Sequence, residues 1–408
     1  MAKDRKISLK ANPSAAGRGV GVNGERSVRL RIVASMLIAA VLVALAEASL
    51  ALLPRLAGKN LLRGILYFPP EVTREQYERY LAIRDPVVGW PARAALRAAG
   101  GPEPRPSPAF PEAREWCVTL YGESFTYGDE VSDAEAWGNV LAQRLGCRVA
   151  NFGVGGYGTD QALLRFTANP ADRAPVTIVG VFADNPLRNV NQYRYFLGGE
   201  ALALKPRFVL ENGALKLVPI PNLSYEQFIN GLSDPRAVFA HEVFLPGSRH
   251  GPVIWSFPYT LSLLDLVRTD HVINYVRGRP SWINFHRLDH DSRALPTTVA
   301  IVEEFRRRAT AGKTVVAVIY PTGASYKLTR RTGESTFGAL VAELAARGIP
   351  ARDLTADFAA YLGERSFCEM LSSAAACSGH YNAEGNRVVA EAMQAFLAAN
   401  RLPGHGKQ

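Results

Sequence analysis

Apolar residues follow two patterns along most of this chain: short continuous runs, and longer segments where they recur every three or four positions. The continuous runs are rich in β-branched residues and predict buried strands, whereas the spaced segments predict amphipathic helices. Strands that alternate with helices in this way predict a parallel sheet covered on both faces. The predicted strands are 116–121, 148–152, 176–182, 314–320 and a short one ending near 353, and the predicted helices are about 133–145, 159–166, 297–311, 335–347 and 383–399.

The N-terminus carries a third pattern. Residues 32–53 are apolar except for Ser35, Glu47 and Ser49, and roughly 20 such residues cross a bilayer. Basic residues before this run predict a cytoplasmic N-terminus, with the rest of the chain outside the cytoplasm. We expect a single-pass signal anchor, with Glu47 near the outer interface because a carboxylate is costly in lipid. A cleaved signal peptide is the alternative, since Ala46-Glu47-Ala48 resembles an A-x-A site.

These patterns divide the chain into four predicted segments. Residues 1–31, rich in Gly, Ser and basic residues, predict a disordered tail, and residues 32–53 form the anchor. Prolines across 54–111 predict a juxtamembrane stalk with one short helix at about 74–83. The main domain spans 112–400, with an insertion at about 187–295. Within the insertion, Asn212-Gly213 between two apolar runs predicts a hairpin.

Composition and charge exclude some functions. The chain has 408 residues, 48% hydrophobic and 21% charged, as in ordinary globular proteins. The formal net charge is +10, but residues 1–31 contain eight Lys/Arg and two acids, so the tail supplies +6 and the remainder only +4. Because the basic residues are concentrated in a tail and not on a folded face, nucleic-acid binding is not indicated.

The first candidate for chemistry follows the first predicted strand. Gly122-Glu123-Ser124 lies in the stretch from Leu120 to Glu130, between that strand and a helix. Open α/β sheets bind their ligands at the carboxyl ends of their strands. An ordinary strand-to-helix turn is the alternative, because Gly and Ser are common in turns.

Three further blocks follow in order: 151–159, which is rich in Gly, Phe182-Ala183-Asp184-Asn185, and Gly379-His380-Tyr381-Asn382. A Ser, a Gly, an Asn and a His in this order resemble the SGNH (GDSL-type) hydrolase family, over roughly 111–400. The resemblance implies an α/β fold, a three-layer αβα sandwich with a five-stranded parallel flavodoxin-like sheet. It also implies an esterase or acyltransferase that needs neither metal nor cofactor.

The resemblance assigns roles to individual residues. Ser124 would be the nucleophile, and His380 the base that accepts its proton. The oxyanion would be stabilised by the backbone N–H groups of Ser124 and Gly156 and by the side-chain amide of Asn185. Gly155 is the close alternative to Gly156, and Asn189 and Asn191 are nearby alternatives to Asn185.

The chain departs from the family at one position that matters for catalysis. The family places an Asp three residues before the histidine, where this chain has Cys377. Asp353, Asp357 or Glu369 could orient the histidine instead, as could a backbone carbonyl, or the triad acid could be absent. Glu123 replaces the usual Asp beside the serine.

A dinucleotide site is a weaker alternative for the glycine block. Gly153-x-Gly155-x-x-Gly158 matches the fingerprint formally, but that fingerprint needs an acidic residue at the end of the next strand. Asp172 has the spacing and lies before that strand. A Rossmann site is therefore not favoured.

The four cysteines allow two disulfides. Cys368 and Cys377 could close a short loop before His380 in an oxidising compartment. Cys117 and Cys147 lie near the starts of two strands that the family makes neighbours, and they could pair or remain buried thiols. No spacing of His and Cys predicts zinc.

We therefore expect a membrane-anchored serine esterase that cleaves or transfers O-acyl groups, acetyl on a carbohydrate in particular. A catalytically inactive binding or assembly protein on the same fold is the alternative, and a lipid-directed esterase would need an apolar tunnel. Aromatic residues of the insertion could form a sugar-binding wall or the core of a lid; they include Tyr193, Tyr195, Trp255, Tyr259, Trp282 and Phe285.

Overall fold

The computed structural model describes residues 22–58, 62, 64–90, 103–112 and 115–402, with 22–26 as backbone only. The predicted tail up to residue 21 lies outside the described residues. The helices are Val22–Ala57, Arg74–Ile83, Ser124–Tyr127, Trp137–Leu145, Thr159–Thr167, Asn185–Asn189, Tyr225–Ser233, Pro235–Val238, Tyr259–Val267, Asp270–Val276, Ala294–Arg308, Gly323–Thr332, Gly338–Ala346, Thr355–Leu362 and Ala383–Ala399, with 3-10 turns at Arg194–Leu197, Ile283–His286 and Phe367–Met370.

Five parallel strands form the central sheet. They are labelled in chain order as β1 Val118–Tyr121, β2 Val149–Asn151, β3 Val176–Phe182, β4 Thr314–Tyr320 and β5 Ala351–Asp353. Their spatial order is β2-β1-β3-β4-β5, and every neighbouring pair is parallel. This 2-1-3-4-5 order is the flavodoxin-like one. The predicted fold class is thereby confirmed.

Helices cover both faces of the sheet, which explains the continuous apolar runs of its inner strands. On one face Trp137, Leu141, Val389 and Met393 pack against Val118 and neighbouring strand residues. On the other face the helices 159–167, 294–308 and 338–346 bury their apolar sides. The result is a three-layer sandwich in which the carboxyl ends of the strands meet at one edge.

The N-terminal helix begins at Val22, so the predicted disorder of residues 22–31 is wrong. Arg and Leu in this stretch are good helix formers, and the helix extends through them from the apolar run. Within its part from Ser27 to Ala57, an 18-residue window has a mean hydropathy of 2.5 and contains no buried residue. It is the one helix among the described residues that is long and apolar enough to cross a membrane.

The segment predicted as a stalk is, where described, part of the folded domain. Its helix Arg74–Ile83 is confirmed, but Tyr77 on that helix is fully buried and stacks on Phe228 with ring centroids 4.7 Å apart. Leu66–Tyr67 pairs in parallel with Val253–Ile254. The prolines of this segment suggested a spacer. The contacts that fold it into the domain join it to residues far away in the sequence, and proline content does not reveal them.

The insertion has a core of its own. Tyr193, Phe196, Phe228 and Phe239 pack together with Tyr77 and its neighbours. The core interpretation therefore holds for Tyr193, Tyr195 and Phe285, which are buried, whereas Trp255, Tyr259 and Trp282 are half-buried.

The predicted hairpin is confirmed as Arg207–Glu211 paired with Ala214–Val218, and Asn212 and Gly213 have φ of 50° and 79° at its turn. A second antiparallel pair joins Leu371–Ser373 to Ser378–Tyr381.

Candidate active site

Ser124 is the first residue of a one-turn helix at the carboxyl end of β1, and it is 5% exposed. The chain turns sharply at Gly122, where an added β-carbon would lie 2.1 Å from the hydroxyl of Thr126. The Glu123 carboxylate caps the turn by accepting from the backbone N–H groups of Phe125 and Thr126, at 3.1 and 3.4 Å. The local sequence thus fixes the serine at the edge where the fold class places ligands.

Glu123 is fully buried beneath the serine. Burial raises the pKa of its carboxyl to about 7, and the nearby Arg188 guanidinium opposes that rise. Burial also lowers the pKa of Arg188, whose Nη1 donates to the carbonyl of Tyr157 at 2.9 Å. Sequence reasoning missed Arg188, although its position three residues after Asn185 would place it near the same edge.

The glycine block is tied directly to the serine turn. Asn151 donates through Nδ2 to the carbonyl of Thr126 at 2.8 Å, and its Oδ1 accepts from the N–H of Gly153 at 2.9 Å. Only glycine fits at position 153, because an added β-carbon would lie 2.5 Å from the backbone nitrogen of Tyr127. The block therefore lies against the serine-bearing helix, as the resemblance implies.

The two candidate oxyanion glycines have different neighbours. Gly156 has a φ of +79° and lies beside the indole of Trp90, whose Nε1 donates to the carbonyl of Gly155 at 2.9 Å. Gly155 lies beside the Asp129 carboxylate: a β-carbon added at Gly155 would be 3.1 Å from Oδ2 of Asp129. The role of Gly156, with Gly155 as its alternative, stays a prediction.

Asn185 begins the helix after β3 and is 1% exposed. Its Oδ1 accepts from the N–H of Phe182 at 2.7 Å, and its Nδ2 lies 3.5 Å from the carbonyl of Tyr157, next to Gly156. Asn189 lies at the far end of the glycine block, where its Nδ2 donates to Thr159 and Thr298 and its Oδ1 accepts from the N–H of Asp160. Asn191 donates to Glu242, away from the block. Of the three asparagines, Asn185 is the one whose amide lies at the Tyr157 carbonyl, next to Gly156.

His380 reaches the same edge from the other end of the chain. It lies on the strand Ser378–Tyr381, directly after the disulfide between Cys368 and Cys377. Its ring packs on Phe125, the residue after Ser124, with ring centroids 4.9 Å apart. The structure thus brings the four blocks to one edge of the sheet.

The carboxylate beside His380 belongs to Glu130. Its Oε1 lies 3.1 Å from Nδ1 of His380, and its Oε2 accepts from the backbone N–H of His380 at 3.2 Å. The hydroxyl of Ser372 also donates to it. Ser372 first, and then His380, hold the pKa of the Glu130 carboxyl below its ordinary value, so it is charged near neutral pH.

None of the three acids predicted for this role is in place. Asp353 accepts from Thr355 and Ser335, Asp357 pairs with Arg352, and Glu369 caps the turn at Ser366. Each is engaged by partners other than His380. The prediction of Asp353, Asp357 or Glu369 as the orienting acid is therefore wrong.

Glu130 was missed because its position depends on a tight reversal of the chain. Gly128 and Glu130 have φ of 83° and 70°, and these left-handed residues turn the chain after Tyr127 back toward the histidine strand. The available signal was an acidic pair, Asp129-Glu130, inside the serine block itself. Burial raises the pKa of Asp129, the other member.

The remaining sequence candidates have structural roles. Asp172, the acid considered for a dinucleotide site, is buried and pairs with Lys313 at 2.6 Å. It also accepts from Thr119 and Tyr121. Cys117 and Cys147 form the second disulfide, which joins the segments that lead into β1 and β2.

Comparisons with known proteins add the following. No family model matches the chain, and no curated protein matches it. Solved structures similar to it include a lipolytic protein of the G-D-S-L family from Desulfitobacterium hafniense DCB-2, at 13% identity over 69% of this chain and 98% of that one, with a TM-score of 0.33.

Two other solved structures are similar to the chain. TesA has 10% identity over 69% of this chain and 98% of its own, with a TM-score of 0.35. A catalytic mutant of the acetylxylan esterase Axe2 from Geobacillus stearothermophilus has 12% identity over 72% of this chain and 100% of its own, also with a TM-score of 0.35. Of the three neighbours, the first is named for the G-D-S-L family and the third for acetylxylan esterase activity.

Proposed function

We propose that this chain is a serine esterase that cleaves or transfers O-acyl groups through an acyl-enzyme on Ser124. The observation that supports this most directly is the packing of His380, with the Glu130 carboxylate 3.1 Å from its Nδ1, against the residue next to Ser124. A nucleophile, a base and a group that orients the base are the parts such a reaction needs. Glu130 also removes the main reason for an inactive protein, which was Cys377 at the usual position of the acid.

The reaction follows from this arrangement. With Nδ1 of His380 facing Glu130, Nε2 is free to accept the proton of the Ser124 hydroxyl as its oxygen attacks the ester carbonyl. The N–H groups of Ser124 and Gly156 and the amide of Asn185 stabilise the negative oxygen. His380 then protonates the leaving alcohol. Water or a sugar hydroxyl accepts the acyl group in the second half of the reaction, and His380 deprotonates it.

A carbohydrate is the substrate class that the surroundings favour. A cavity of about 480 Å³ borders Gly156 and is lined by Trp90, Tyr80 and Arg194, among others. The indole of Trp90 beside Gly156, the proposed oxyanion residue, provides a flat apolar face with polar groups around it, which suits a sugar ring. We propose an O-acetylated carbohydrate as the acyl donor.

We further propose that Val22–Ala57 is a retained membrane anchor with its N-terminus in the cytoplasm. Glu47 accepts from the backbone N–H groups of Tyr259 and Thr260, at 2.6 and 3.1 Å, so it caps the helix Tyr259–Val267. A carboxylate satisfied in this way is tolerable at the membrane surface. Cleavage after Ala48 would remove this contact. Two disulfides support a location outside the cytoplasm.

The test is hydrolysis of a short-chain acyl ester by the full-length chain in detergent. Ser124→Ala should lower kcat by at least about 10³-fold, because the nucleophile is lost. Ser132→Ala, an exposed serine of the same loop, is the matched control and should retain wild-type turnover. Mass spectrometry after reaction with a fluorophosphonate should place the adduct on Ser124. Equal turnover in wild type and Ser124→Ala would refute the proposal.

A further inference from the structure

A second cluster of histidines and carboxylates lies in the insertion, away from Ser124. Oδ2 of Asp270 is 3.2 Å from Nδ1 of His250 and 3.7 Å from Nε2 of His290. One ligand atom from each of these three residues lies within 4.8 Å of the other two. The side chains are 9%, 14% and 10% exposed for His250, Asp270 and His290, so the three groups face one another in a largely dry place.

We propose that His250, Asp270 and His290 bind one divalent transition-metal ion, Zn²⁺ in the first instance. Ligand atoms bonded tetrahedrally to Zn²⁺ at about 2.0–2.2 Å lie roughly 3.3–3.6 Å from one another. The two distances to Asp270 bracket that range. Two imidazole nitrogens and one carboxylate oxygen form a common zinc donor set, with a further position for water.

The outer contacts of the two rings support this assignment. If His250 binds the ion through Nδ1, its Nε2–H can donate to Oδ1 of Asp291, which lies 2.8 Å away. If His290 binds through Nε2, its Nδ1–H can donate to the hydroxyl of Ser292 at 2.7 Å. Histidine ligands of metals almost always donate their second nitrogen in this way.

The third ligand is held as well, and one donor atom lacks a partner. Asn284 donates to Oδ1 of Asp270 at 3.2 Å, which leaves Oδ2 for the ion. Nε2 of His290 is buried and makes no hydrogen bond within the described part of the chain. A buried ring nitrogen without a partner is costly, and a bound cation would remove that cost.

An entry path and the state of the cysteines complete the case. A cavity of about 330 Å³ opens onto His250 and Asp270 and provides access for the ion. The four cysteines of the chain are all in disulfides, so no thiolate competes for zinc. This proposal does not depend on the esterase activity.

The experiment is a zinc titration of the untagged full-length chain in detergent, with metal content measured after dialysis. Wild type should hold one Zn²⁺ per chain. His250→Gln, His290→Gln and Asp270→Asn should each bind it at least about 100-fold more weakly. His271→Gln is the matched control, because this exposed histidine lines the same cavity outside the triad, and it should bind as wild type does.

Two readouts on the wild-type chain keep the test independent of how the variants fold. Zn²⁺ should raise its Tm and a chelator should lower it again. Co²⁺ should give the intense visible absorption of a four-coordinate site, and Zn²⁺ should abolish that absorption. If wild type binds no Zn²⁺ after dialysis, or if His271→Gln loses it as completely as His250→Gln, the assignment is overturned.

Discussion

Two places among the described residues where histidine meets carboxylate differ in how many ring nitrogens have a carboxylate nearby. At the sheet edge, His380 is 25% exposed at its side chain and has one carboxylate, Glu130, beside Nδ1. In the insertion, His250 is 9% exposed and has a carboxylate near each ring nitrogen, Asp270 and Asp291.

This difference indicates two kinds of chemistry. A histidine with a carboxylate beside one nitrogen can use the other nitrogen to move a proton, which is what a base must do. A histidine with an acceptor near each nitrogen, as His250 has in Asp270 and Asp291, cannot exchange a proton without breaking a contact. It is suited to holding a cation. The predictions below test whether each carboxylate serves its histidine in the way this contrast requires.

The largest effect should follow from Glu130→Gln. Glutamine fills the same space but removes the charge that orients His380 and stabilises its protonated form. We expect kcat to fall by about 10²- to 10⁴-fold with KM little changed, as when the orienting acid of a triad is neutralised. Steady-state kinetics on a short-chain ester would measure this.

The control separates Glu130 from the acids that the sequence suggested. Glu369→Gln should retain wild-type kcat, because Glu369 caps a turn at Ser366. Glu130→Asp should recover part of the loss, since the charge returns. If Glu130→Gln and Glu369→Gln had the same kcat, the carboxylate beside His380 would have no role as its orienting group.

Much of the fold could be predicted because local patterns determined it. The strand runs and the glycine and serine blocks each depend on a few neighbouring residues, and the 2-1-3-4-5 sheet followed from the family resemblance. The helices Gly323–Thr332 and Thr355–Leu362 were missed. The first contains several Arg and Thr residues, and the second is short, so neither shows a clear helical spacing of apolar residues.

The parts that could not be predicted depend on contacts between distant segments. Glu130 and His380 are 250 positions apart and meet only because a left-handed turn redirects the chain. His250, Asp270 and His290 have no metal-binding spacing in the sequence and converge from two loops of the insertion and the start of its helix Asp270–Val276. The segment before residue 90 looked like a spacer because the burial of Tyr77 requires the insertion to be folded.

A smaller effect is expected for Asp291→Asn in the insertion. Asp291 does not touch the proposed ion but accepts from His250, so its loss should weaken Zn²⁺ binding about 10- to 100-fold. Competition with a chelating dye would measure the affinity. Asp289→Asn is the control, because this exposed acid pairs with Arg287. Equal affinities in the two variants would show that the two ring nitrogens of His250 need not both be engaged.

The smallest effect concerns Glu123, a carboxylate at the sheet edge that is buried without a histidine. Its pKa rises from 4.5 to about 7 through burial. Between these pH values Glu123 is ionised in the unfolded chain but protonated in the folded chain, so wild-type stability should fall as pH rises and then stay level above about pH 7.

The variant Glu123→Gln keeps an oxygen to cap the turn but has no ionisable group there, so its stability should not fall in this way. Its Tm relative to wild type should therefore increase from pH 4.5 to 7, by roughly 2 °C or more. Thermal unfolding at several pH values would measure this, with exposed Glu334→Gln as the control. A Tm difference that stays constant with pH would mean that Glu123 is already ionised at pH 5, and that burial at this edge does not raise its pKa.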